Sequence, residues 1–392
     1  MVSSFATLAH PLPQRHPMHI EYLDSLAGIA AADWNALDPT GNPFLRHEFL
    51  HALEASGCVG PGTGWLPRHV ALFEGGALQS ALPLYEKSHS YGEYVFDWAW
   101  AEAYHRAGMD YYPKLVSAAP FSPVTGPRLL TGGHPERQPA LLQAALALAD
   151  TGYSSLHTLF CPPGESAALE NAGLLIREGV QFHWRNAGYR DFDDFLDRFS
   201  SRKRKQVRKE RREALAGELT VECLQGREIA AAHWDVFYRF YLATIRKKGA
   251  MPYLTLGFFH ELGERLPAAC VLFLARQGDD YVAGALSLRS EHALYGRYWG
   301  SMDEFPGLHF ELCYYQGIDY CIREGLARYE AGAQGEHKIA RGFLPVTTYS
   351  AHWLAHPQFR RAVADFLRRE RLGLARYRAE LETLSPFKRE SV

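Results

Sequence analysis

Two stretches of the chain have the pattern of apolar and polar positions that is typical of a β-hairpin. Residues 69–87 form an apolar run that turns at Gly75-Gly76, and residues 270–289 form a second run that turns around Gly278. Apolar residues on both sides of a short glycine-containing turn favour a pair of antiparallel strands. The pattern therefore predicts one such hairpin in each half of the chain.

The segments around the two hairpins repeat in the same order. Two helices precede each hairpin, and a further strand, a long helix and a short strand follow it. The helices and final strands are expected at 29–38, 47–56, 136–150 and 155–160, and again at 228–246, 255–265, 308–324 and 327–331. Any α/β protein yields some match of this kind by chance, but repetition in one order favours two similar halves. The expected class is α/β (α+β).

The composition is that of a folded globular protein. The chain has 392 residues, of which 47% are hydrophobic and 22% charged, and this balance excludes wholesale disorder. Its net charge of −2 argues against a surface that is basic throughout and built for duplex nucleic acid. Six cysteines without CxxC spacing are typical of reduced thiols in a cytoplasmic protein. Residues 1–17 are expected to form a flexible leader, and no apolar run is long enough to predict a membrane span.

The strongest charge feature is a basic run in the middle of the chain. Eight of the eleven residues 202–212 are Lys or Arg, and Ser200 or Ser201 can begin a helix there that Gly217 ends. An acidic segment, 191–197, precedes the run. Such a run is either a solvated linker helix or a positive surface for the phosphates of a nucleotide cofactor or an RNA.

Several common catalytic motifs are absent from the sequence. It has no HExxH, no GxSxG, no Walker A loop and no GxGxxG after a strand. His309 and Glu311 resemble half of the zinc deaminase signature, but the PCxxC half is missing. A metal site is therefore not expected.

Residues 328–349 form a glycine-rich polar segment after the last short strand. Glycines allow a backbone to approach a ligand closely, and the acidic, basic and cationic side chains cover proton transfer and charge stabilisation. Those side chains are Glu330, Glu336, His337, Lys338 and Arg341. An exposed loop made soluble by its charges is the alternative, but the flanking aromatic residues favour a partly enclosed segment.

Two aromatic segments are candidates for ligand grooves. Residues 94–128 mix tryptophans and tyrosines with charged residues, which is typical either of an aromatic ligand groove or of a core layer whose tyrosines reach water. Residues 295–301 contain two glycines. Glycines are expected to break this strand and expose backbone donors, as at a splayed sheet edge that accepts a pantetheine or peptide-like substrate.

Together these segments resemble the FemAB-like predicted N-acyltransferases, also described as peptidoglycan biosynthesis or recognition proteins. The resemblance covers about residues 18–385. It rests on NPFLRHEFLHALEASG (42–57), FDWAWAEAYHRAGMDYYPKL (96–115), PFSPVTGPRLL (120–130), SSRKRKQVRKERR (200–212) and EAGAQGEHKIARGFLPVTTYSAHW (330–353). It implies two tandem GNAT-like acyltransferase domains, each a mixed, mostly antiparallel sheet flanked by helices. It also implies a transfer reaction without a long-lived covalent enzyme intermediate, and FemAB proteins use aminoacyl-tRNA to extend a peptidoglycan precursor.

The acyl donor stays open because the GNAT pyrophosphate loop, (Q/R)xxGx(G/A), is incomplete in both halves. Residues 128–133 have Thr131 at the first glycine position, and the second half offers only residues 305–307. The helical-hairpin arm that FemAB proteins use with tRNA has no counterpart either. Acyl-CoA and aminoacyl-tRNA both remain candidate co-substrates.

The resemblance and the polar segment together suggest catalytic roles. Glu336 or His337 is the predicted general base, with Glu330 as the alternative. Lys338 and Arg341 are expected to hold a donor phosphate or an acceptor carboxylate.

The remaining assignments concern binding. The further donor-binding residues are expected to be Tyr298, Trp299, Arg202, Lys203, Lys205 and Arg208. The acceptor groove is expected to contain Asp97, Trp98 and His105.

The expected organisation is a leader (1–17), an N-terminal GNAT-like domain (18–190), linker helices (191–217) and a C-terminal GNAT-like domain with a final helix (218–392). The expected activity is N-acyl or aminoacyl transfer to an amine acceptor such as a peptidoglycan precursor or peptide, with no DNA partner. An acetyl-CoA-dependent N-acetyltransferase of small molecules is one alternative. A non-catalytic binder of cell-wall fragments or tRNA is the other.

Overall fold

The structure, a computed structural model, describes residues 18–333 and 335–388, so the expected leader lies outside the described residues. The strands are β1 (Met18–Leu23), β2 (Trp65–Pro67), β3 (His69–Glu74), β4 (Ala77–Leu82), β5 (Tyr85–Lys87), β6 (Lys114–Ser117), β7 (Ser155–Cys161), β8 (Leu175–Arg185), β9 (Leu219–Gln225), β10 (Cys270–Gln277), β11 (Asp280–Arg289), β12 (Ala293–Ser301), β13 (Arg328–Glu330) and β14 (Leu344–Leu354). The α-helices are α1 (Ala31–Asn35), α2 (His47–Ala55), α3 (Trp98–Arg106), α4 (Gln138–Ala149), α5 (Pro163–Asn171), α6 (Phe192–Asp197), α7 (Ser201–Ala214), α8 (Ala231–Lys247), α9 (Leu256–Arg265), α10 (Leu308–Phe310), α11 (Gln316–Arg323) and α12 (Pro357–Thr383). A π-helical turn, Glu311–Tyr315, joins α10 to α11, and a 3₁₀ helix spans Glu336–Arg341.

Most strands belong to one mixed sheet in the order β2-β5-β6-β7-β14-β8-β13-β12-β11-β10-β9, and a smaller sheet contains β1, β3 and β4. Two neighbouring pairs in the large sheet are parallel, β6 with β7 and β12 with β13. Parallel strands need a long crossover connection. The first pair is connected through α4, and the second through α10 and α11.

The two halves share their central strands. β8 pairs with β13 and β14, and β14 lies between β7 and β8. His157 of β7 is paired in register with His352 of β14, and their Nδ1 atoms are 2.7 Å apart. Each half therefore completes its sheet with a strand from the other half.

Helices cover both faces of the second half of the sheet. The largest apolar cluster packs α2, α8 and α9 against one face, and a second cluster packs α6, α7, α10 and α11 against the other. Gly300 allows the closest approach, because a Cβ atom there would lie 2.0 Å from the Phe240 carbonyl oxygen of α8. In the described part of the chain, no helix has the length and apolarity needed to cross a membrane.

The hydrophobic pattern predicts most of these elements. Both hairpins form, and α2, α4, α8 and α9 lie within one to three residues of the expected bounds. The basic run forms α7, which begins after Ser200, although the Ser200 side chain makes no capping hydrogen bond. The pattern did not predict α3, whose tryptophans and tyrosine were expected in a groove or core layer.

Candidate active site

The second half of the sheet opens where its two parallel strands separate. β12 and β13 pair from Ala293–Arg328 to Tyr295–Glu330 and then diverge. The opening, here called the splay cavity, has a volume of about 190 Å³. Its walls include Lys248, Arg297, Tyr298, Trp299, Cys313 and Tyr314.

A bulge and two glycines shape this opening. The register between β11 and β12 shifts at Leu286/Ser287, so that Arg297 is an extra residue of β12. The strand is thus bulged, not broken as the sequence suggested. A Cβ atom at Gly296 or Gly317 would lie 2.7 or 2.3 Å from the Tyr329 ring system. Both glycines therefore make room for Tyr329, whose hydroxyl donates to the Cys313 carbonyl of the π turn at 2.6 Å.

Lys338 lies beside the opening, with its Nζ 5.9 Å from the centre of the Tyr314 ring of the cavity wall. Its side chain is buried, and its Nζ donates to the Gly332 carbonyl at 2.8 Å. The ammonium thus lies next to the backbone that follows β13, two residues beyond Glu330. Burial lowers the pKa of Lys338 to about 8. Within residues 18–333 and 335–388, no carboxylate forms an ion pair with it.

Glu330 ends β13 at the point of divergence. It is buried, and its Oε1 accepts from Arg328 Nε at 2.9 Å. Its Oε2 lies 4.0 Å from His183 Nε2 and accepts no hydrogen bond from the described residues. Burial raises the pKa of Glu330 to about 7, although Arg328 acts against this shift. A carboxyl with this pKa can exchange a proton near neutral pH.

Glu336 and His337 lie at the outer rim. Both are exposed, and Glu336 accepts a hydrogen bond from Tyr377 of α12 at 2.5 Å. His337 Nε2 lies 2.9 Å from the Tyr314 hydroxyl, which connects it to the wall of the splay cavity. Burial lowers the pKa of His337, with Arg341 and Lys338 adding to the shift.

Arg341 is fixed by the basic helix. It is buried, donates to Glu210 of α7 at 2.8 Å and lies 3.6 Å from the centre of the Phe310 ring. Arg211 of α7 likewise binds the buried Glu311 of the π turn at 2.9 Å. These pairs attach one side of α7 to the wall of the splay cavity and give Arg341 a counter-ion.

The other side of α7 presents cations to solvent. Arg208 pairs with Asp193 at 2.8 Å. For Arg202, Lys203 and Lys205, no ion pair occurs in the part of the chain that the structure describes. The helix is therefore packed on one side, not solvated all round, and exposes cations on the other; whether those cations bind phosphates stays a prediction.

Tyr298 and Trp299 line the splay cavity from β12, and their role in donor binding stays a prediction. Tyr298 is 9% exposed and packs on Tyr241 of α8, with ring centres 5.8 Å apart. Trp299 contacts His309 on the opposite side of the strand, with ring centres 5.2 Å apart. Successive residues of a strand point to opposite faces of the sheet, so these two side chains contact different helices.

The three residues expected in the acceptor groove separate into two groups. Trp98 and His105 line an open groove beside α3. Asp97 is buried below it, where Lys114 Nζ donates to its carboxylate and, at 2.8 Å, to Glu93. Burial alone would raise the pKa of Asp97, but the Lys114 ammonium outweighs burial and lowers it to about 2. Asp97 thus holds the loop before α3 in place.

That loop lines one side of a second opening, which lies next to the splay cavity. Tyr94 and Phe96 line two adjoining cavities of about 290 and 320 Å³, which also share Ala333. The φ angle of Tyr94 is +61°, and Phe121 and Phe160 have φ angles of +57° and +55°. Left-handed backbone at bulky residues is strained, and such strain concentrates at functional sites. We call these joined cavities the upper cleft.

The comparisons with known proteins identify the family. A family model described as FemAB-like, peptidoglycan biosynthesis and recognition, matches residues 25–389. The chain belongs to the FemAB-like family. No curated protein matches the sequence.

Solved structures show the same fold for this FemAB-like chain. FemX has 14% sequence identity, a TM-score of 0.53 and coverage of 88% of this chain and 100% of its own. L-PGS from Bacillus licheniformis has 12% identity, a TM-score of 0.50 and coverage of 84% and 98%. A conserved protein of unknown function from Bacteroides thetaiotaomicron VPI-5482 has 10% identity, a TM-score of 0.50 and coverage of 85% and 99%. The expected α/β fold, a mixed sheet flanked by helices, is confirmed.

In this FemAB-like chain, the two parallel strand pairs differ in what lies between them. In the first half, β6 leaves β7 after Ser117–Thr158, and residues 124–128 occupy the space. Arg128 is fully buried and donates to the carbonyls of Leu159, Gly126 and Val124 at 2.7–2.9 Å. The incomplete loop at 128–133 therefore serves packing, and its arginine is committed to backbone carbonyls.

Sequence reasoning missed two residues of the site. Arg297 lines the splay cavity, and His183 of β8 faces Glu330 from the neighbouring strand. Burial lowers the pKa of His183 to about 3, so the ring is neutral. A charged residue between a glycine and an aromatic residue inside an otherwise apolar strand was the available signal for Arg297. No local signal marks His183, because the pairing of β8 with β13 is a long-range feature.

Proposed function

We propose that this protein is an aminoacyltransferase that moves an aminoacyl group from the ester of an aminoacyl-tRNA to an amine. One observation carries the proposal: where β12 and β13 diverge, the segment from Glu330 to Lys338 supplies a buried carboxyl with a pKa of about 7 and a buried ammonium that has no counter-ion among the described residues. Acyl transfer to an amine needs a base for the ammonium proton and a cation for the oxyanion. Membership of the FemAB-like family supports this class of reaction.

The proposed reaction uses no covalent enzyme intermediate. Glu330 removes a proton from the acceptor ammonium, and the neutral nitrogen attacks the ester carbonyl carbon. The Lys338 ammonium stabilises the oxyanion that forms. Collapse of this intermediate breaks the C–O bond to the tRNA ribose, whose oxygen takes a proton from the attacking nitrogen, and leaves a new amide bond. One proton, first held by Glu330, passes to solvent.

The surroundings of α10 favour tRNA over CoA as donor. A CoA pyrophosphate needs free backbone amides and space at the start of the helix. A Cβ atom at Gly307 would lie 3.4 Å from Ala214 Cβ and 3.9 Å from the Glu210 carbonyl oxygen, because α7 covers this end. The exposed face of α7 and Lys248 at the cavity mouth offer cations to a polyanion instead.

A transfer assay tests the proposal. The purified protein is incubated with tRNA charged with ¹⁴C-labelled amino acids and a peptide that carries a free lysine amine, and label in the peptide is counted. Glu330→Gln is expected to reduce the rate about 10²–10⁴-fold, as for loss of a general base. Lys338→Met is expected to reduce kcat about 10²–10³-fold, as for loss of an oxyanion donor.

Matched variants test whether the general base is Glu330 or a residue of the outer rim. Glu336→Gln changes an exposed carboxyl that binds Tyr377, and the proposal expects it to retain full turnover. A large loss of turnover in Glu336→Gln, with none in Glu330→Gln, would show that the general base is Glu336 at the outer rim and not Glu330. Replacing Arg202, Lys203, Lys205 and Arg208 with glutamine should weaken tRNA binding and flatten its salt dependence. Turnover of acetyl-CoA in the absence of tRNA would show instead that the donor is a thioester.

A further inference from the structure

Arg297 is a cation at the wall between the splay cavity and the upper cleft, and it forms no salt bridge with a carboxylate of the described residues. Its Nη2 donates to the Phe121 carbonyl, and its guanidinium lies 5.2 Å and 5.8 Å from the ring centres of Tyr298 and Tyr94. Among the residues of the structure, no carboxylate pairs with it. An enclosed guanidinium that lacks a counter-ion is costly unless a ligand supplies one.

Three hydrogen-bond donors lie together around this guanidinium. Arg297 Nε, the Tyr298 hydroxyl and the Ser122 hydroxyl are shielded from solvent, and Tyr298 interacts with the other two, but none makes a hydrogen bond of normal geometry in the part of the chain described. Ser122 is 2% exposed and Tyr298 is 9% exposed. Burial raises the pKa of Tyr298 to about 12, while the neighbouring Arg297 and Ser122 act in the opposite direction. The hydroxyl is therefore a neutral donor beside both groups.

These donors come from both halves of the chain. Ser122 and the Phe121 carbonyl lie in the first half, in a segment whose backbone is strained at Phe121. Arg297 and Tyr298 lie at the bulge of β12 in the second half. Tyr94 and Tyr253 close the site from the upper cleft, with their hydroxyl oxygens 2.9 Å apart. A small receptor for an anion is thus assembled where the halves meet.

Glu330 lies close to this receptor on the same face of the sheet. Tyr295 pairs with Glu330 and, like Arg297, contacts Phe44. Arg297 is two residues further along β12 than Tyr295, which corresponds to about 7 Å of strand. A ligand that meets both groups therefore carries its anion only a few bonds from its amine.

We propose that the acceptor is an amino acid or short peptide whose own carboxylate binds Arg297, Tyr298 and Ser122 while its amine faces Glu330. This inference rests on the proposed function for the role of Glu330 and adds the class of acceptor. The receptor offers one guanidinium and neutral hydroxyls, which match the single charge and planar geometry of a carboxylate. A phosphate dianion would leave about one negative charge uncompensated in an enclosed site.

Binding of matched pairs of small ligands tests the proposal without any donor. The probes are L-alanine with L-alaninamide, and L-alanyl-L-alanine with its C-terminal amide, titrated calorimetrically into the full-length protein. The carboxylates are expected to bind at least 10-fold more tightly than the amides, as for a charge-assisted hydrogen bond. Inorganic phosphate at the same concentration is expected to compete poorly.

Variants show which residues cause the preference for a carboxylate over an amide. Arg297→Gln should abolish the carboxylate preference, and Tyr298→Phe and Ser122→Ala should each reduce it about 3–10-fold. Arg289→Gln is the matched control, because Arg289 on the neighbouring strand β11 already pairs with Glu324 at 3.1 Å and should leave the preference unchanged. Arg297→Lys, which keeps the charge, covers the case in which Arg297→Gln fails to fold.

The outcomes separate this inference from the proposed function. Equal binding of carboxylates and amides, or a preference that survives in Arg297→Gln and Arg297→Lys alike, overturns the inference even if aminoacyl transfer is observed. Stronger competition by phosphate than by alanine also overturns it. A preference that depends on Arg297 supports the site even if no aminoacyl-tRNA serves as donor, in which case only the proposed function fails.

Discussion

Glu330→Gln is expected to make the protein more stable at pH 8 while removing its activity. Burial raises the pKa of this carboxyl from its ordinary 4.5 to about 7 in the folded protein. Between these values the unfolded chain has released the proton and the folded chain still holds it, so stability falls as pH rises through this interval. At 1.36 kcal/mol for each pKa unit, the loss is about 3 kcal/mol, complete above pH 7.

Thermal unfolding at pH 5 and pH 8 measures this effect. An unfolding entropy of about 2.1 cal/mol/K per residue gives about 0.8 kcal/mol/K for this chain, so 3 kcal/mol corresponds to about 4 °C in Tm. The Tm of Glu330→Gln should exceed that of the wild type by about this amount at pH 8 and by much less at pH 5. Glu222→Gln is the control, because hydrogen bonds from Tyr281 and Arg276 lower the pKa of Glu222, and its loss should reduce Tm at pH 8. A Glu330→Gln variant that is less stable at both pH values would refute the reasoning.

The remaining predictions concern packing and buried charge. Lys114→Met leaves the buried Asp97 without its ammonium and Glu93 with only Lys87, at 3.9 Å, and is expected to cost about 3–5 kcal/mol, whereas Lys209→Met, at a 64% exposed side chain, should change Tm little. Gly300→Ala places a Cβ atom 2.0 Å from the Phe240 carbonyl oxygen and should cost about 1–3 kcal/mol or more, while Gly164→Ala, with no atom within 4 Å, should be neutral by the same thermal assay. Arg211→Gln removes the partner of the fully buried Glu311 and should both lower Tm and increase proteolysis within α7; unchanged cleavage would mean that other contacts hold the helix.

Local pattern predicts the elements of this fold well, because hairpin turns and amphipathic helices depend on residues close in sequence. The exchange of β8 and β14 between the halves could not be predicted in this way. Nothing in the local sequence of either strand identifies its partners, and only pairing over long sequence distances decides their neighbours. The helix α3 was missed because its aromatic residues suggested a ligand groove more strongly than a helical stripe.

The candidate site was predictable where glycines and charge mark it. The segment 328–349 and the β12 glycines lie at the strand divergence, and Tyr298, Trp299 and Lys338 lie in or beside the splay cavity. Asp97 and Arg341 were harder to place, because their partners Lys114 and Glu210 are distant in sequence. Which of Glu330, Glu336 and His337 acts as base stays a prediction, since burial distinguishes them and no local pattern does.

The position of β14 has a consequence for synthesis of the protein. β7 ends at Cys161, and β14, which must pair with it, begins at Leu344. The ribosome adds the intervening residues, about 180 of them, in about 10–40 s. During this interval β7 and β8 present unpaired edges that invite association with other chains. The first half therefore matures only when nearly the whole chain has been made, and ribosome pausing or truncation before Leu344 would yield aggregation-prone fragments.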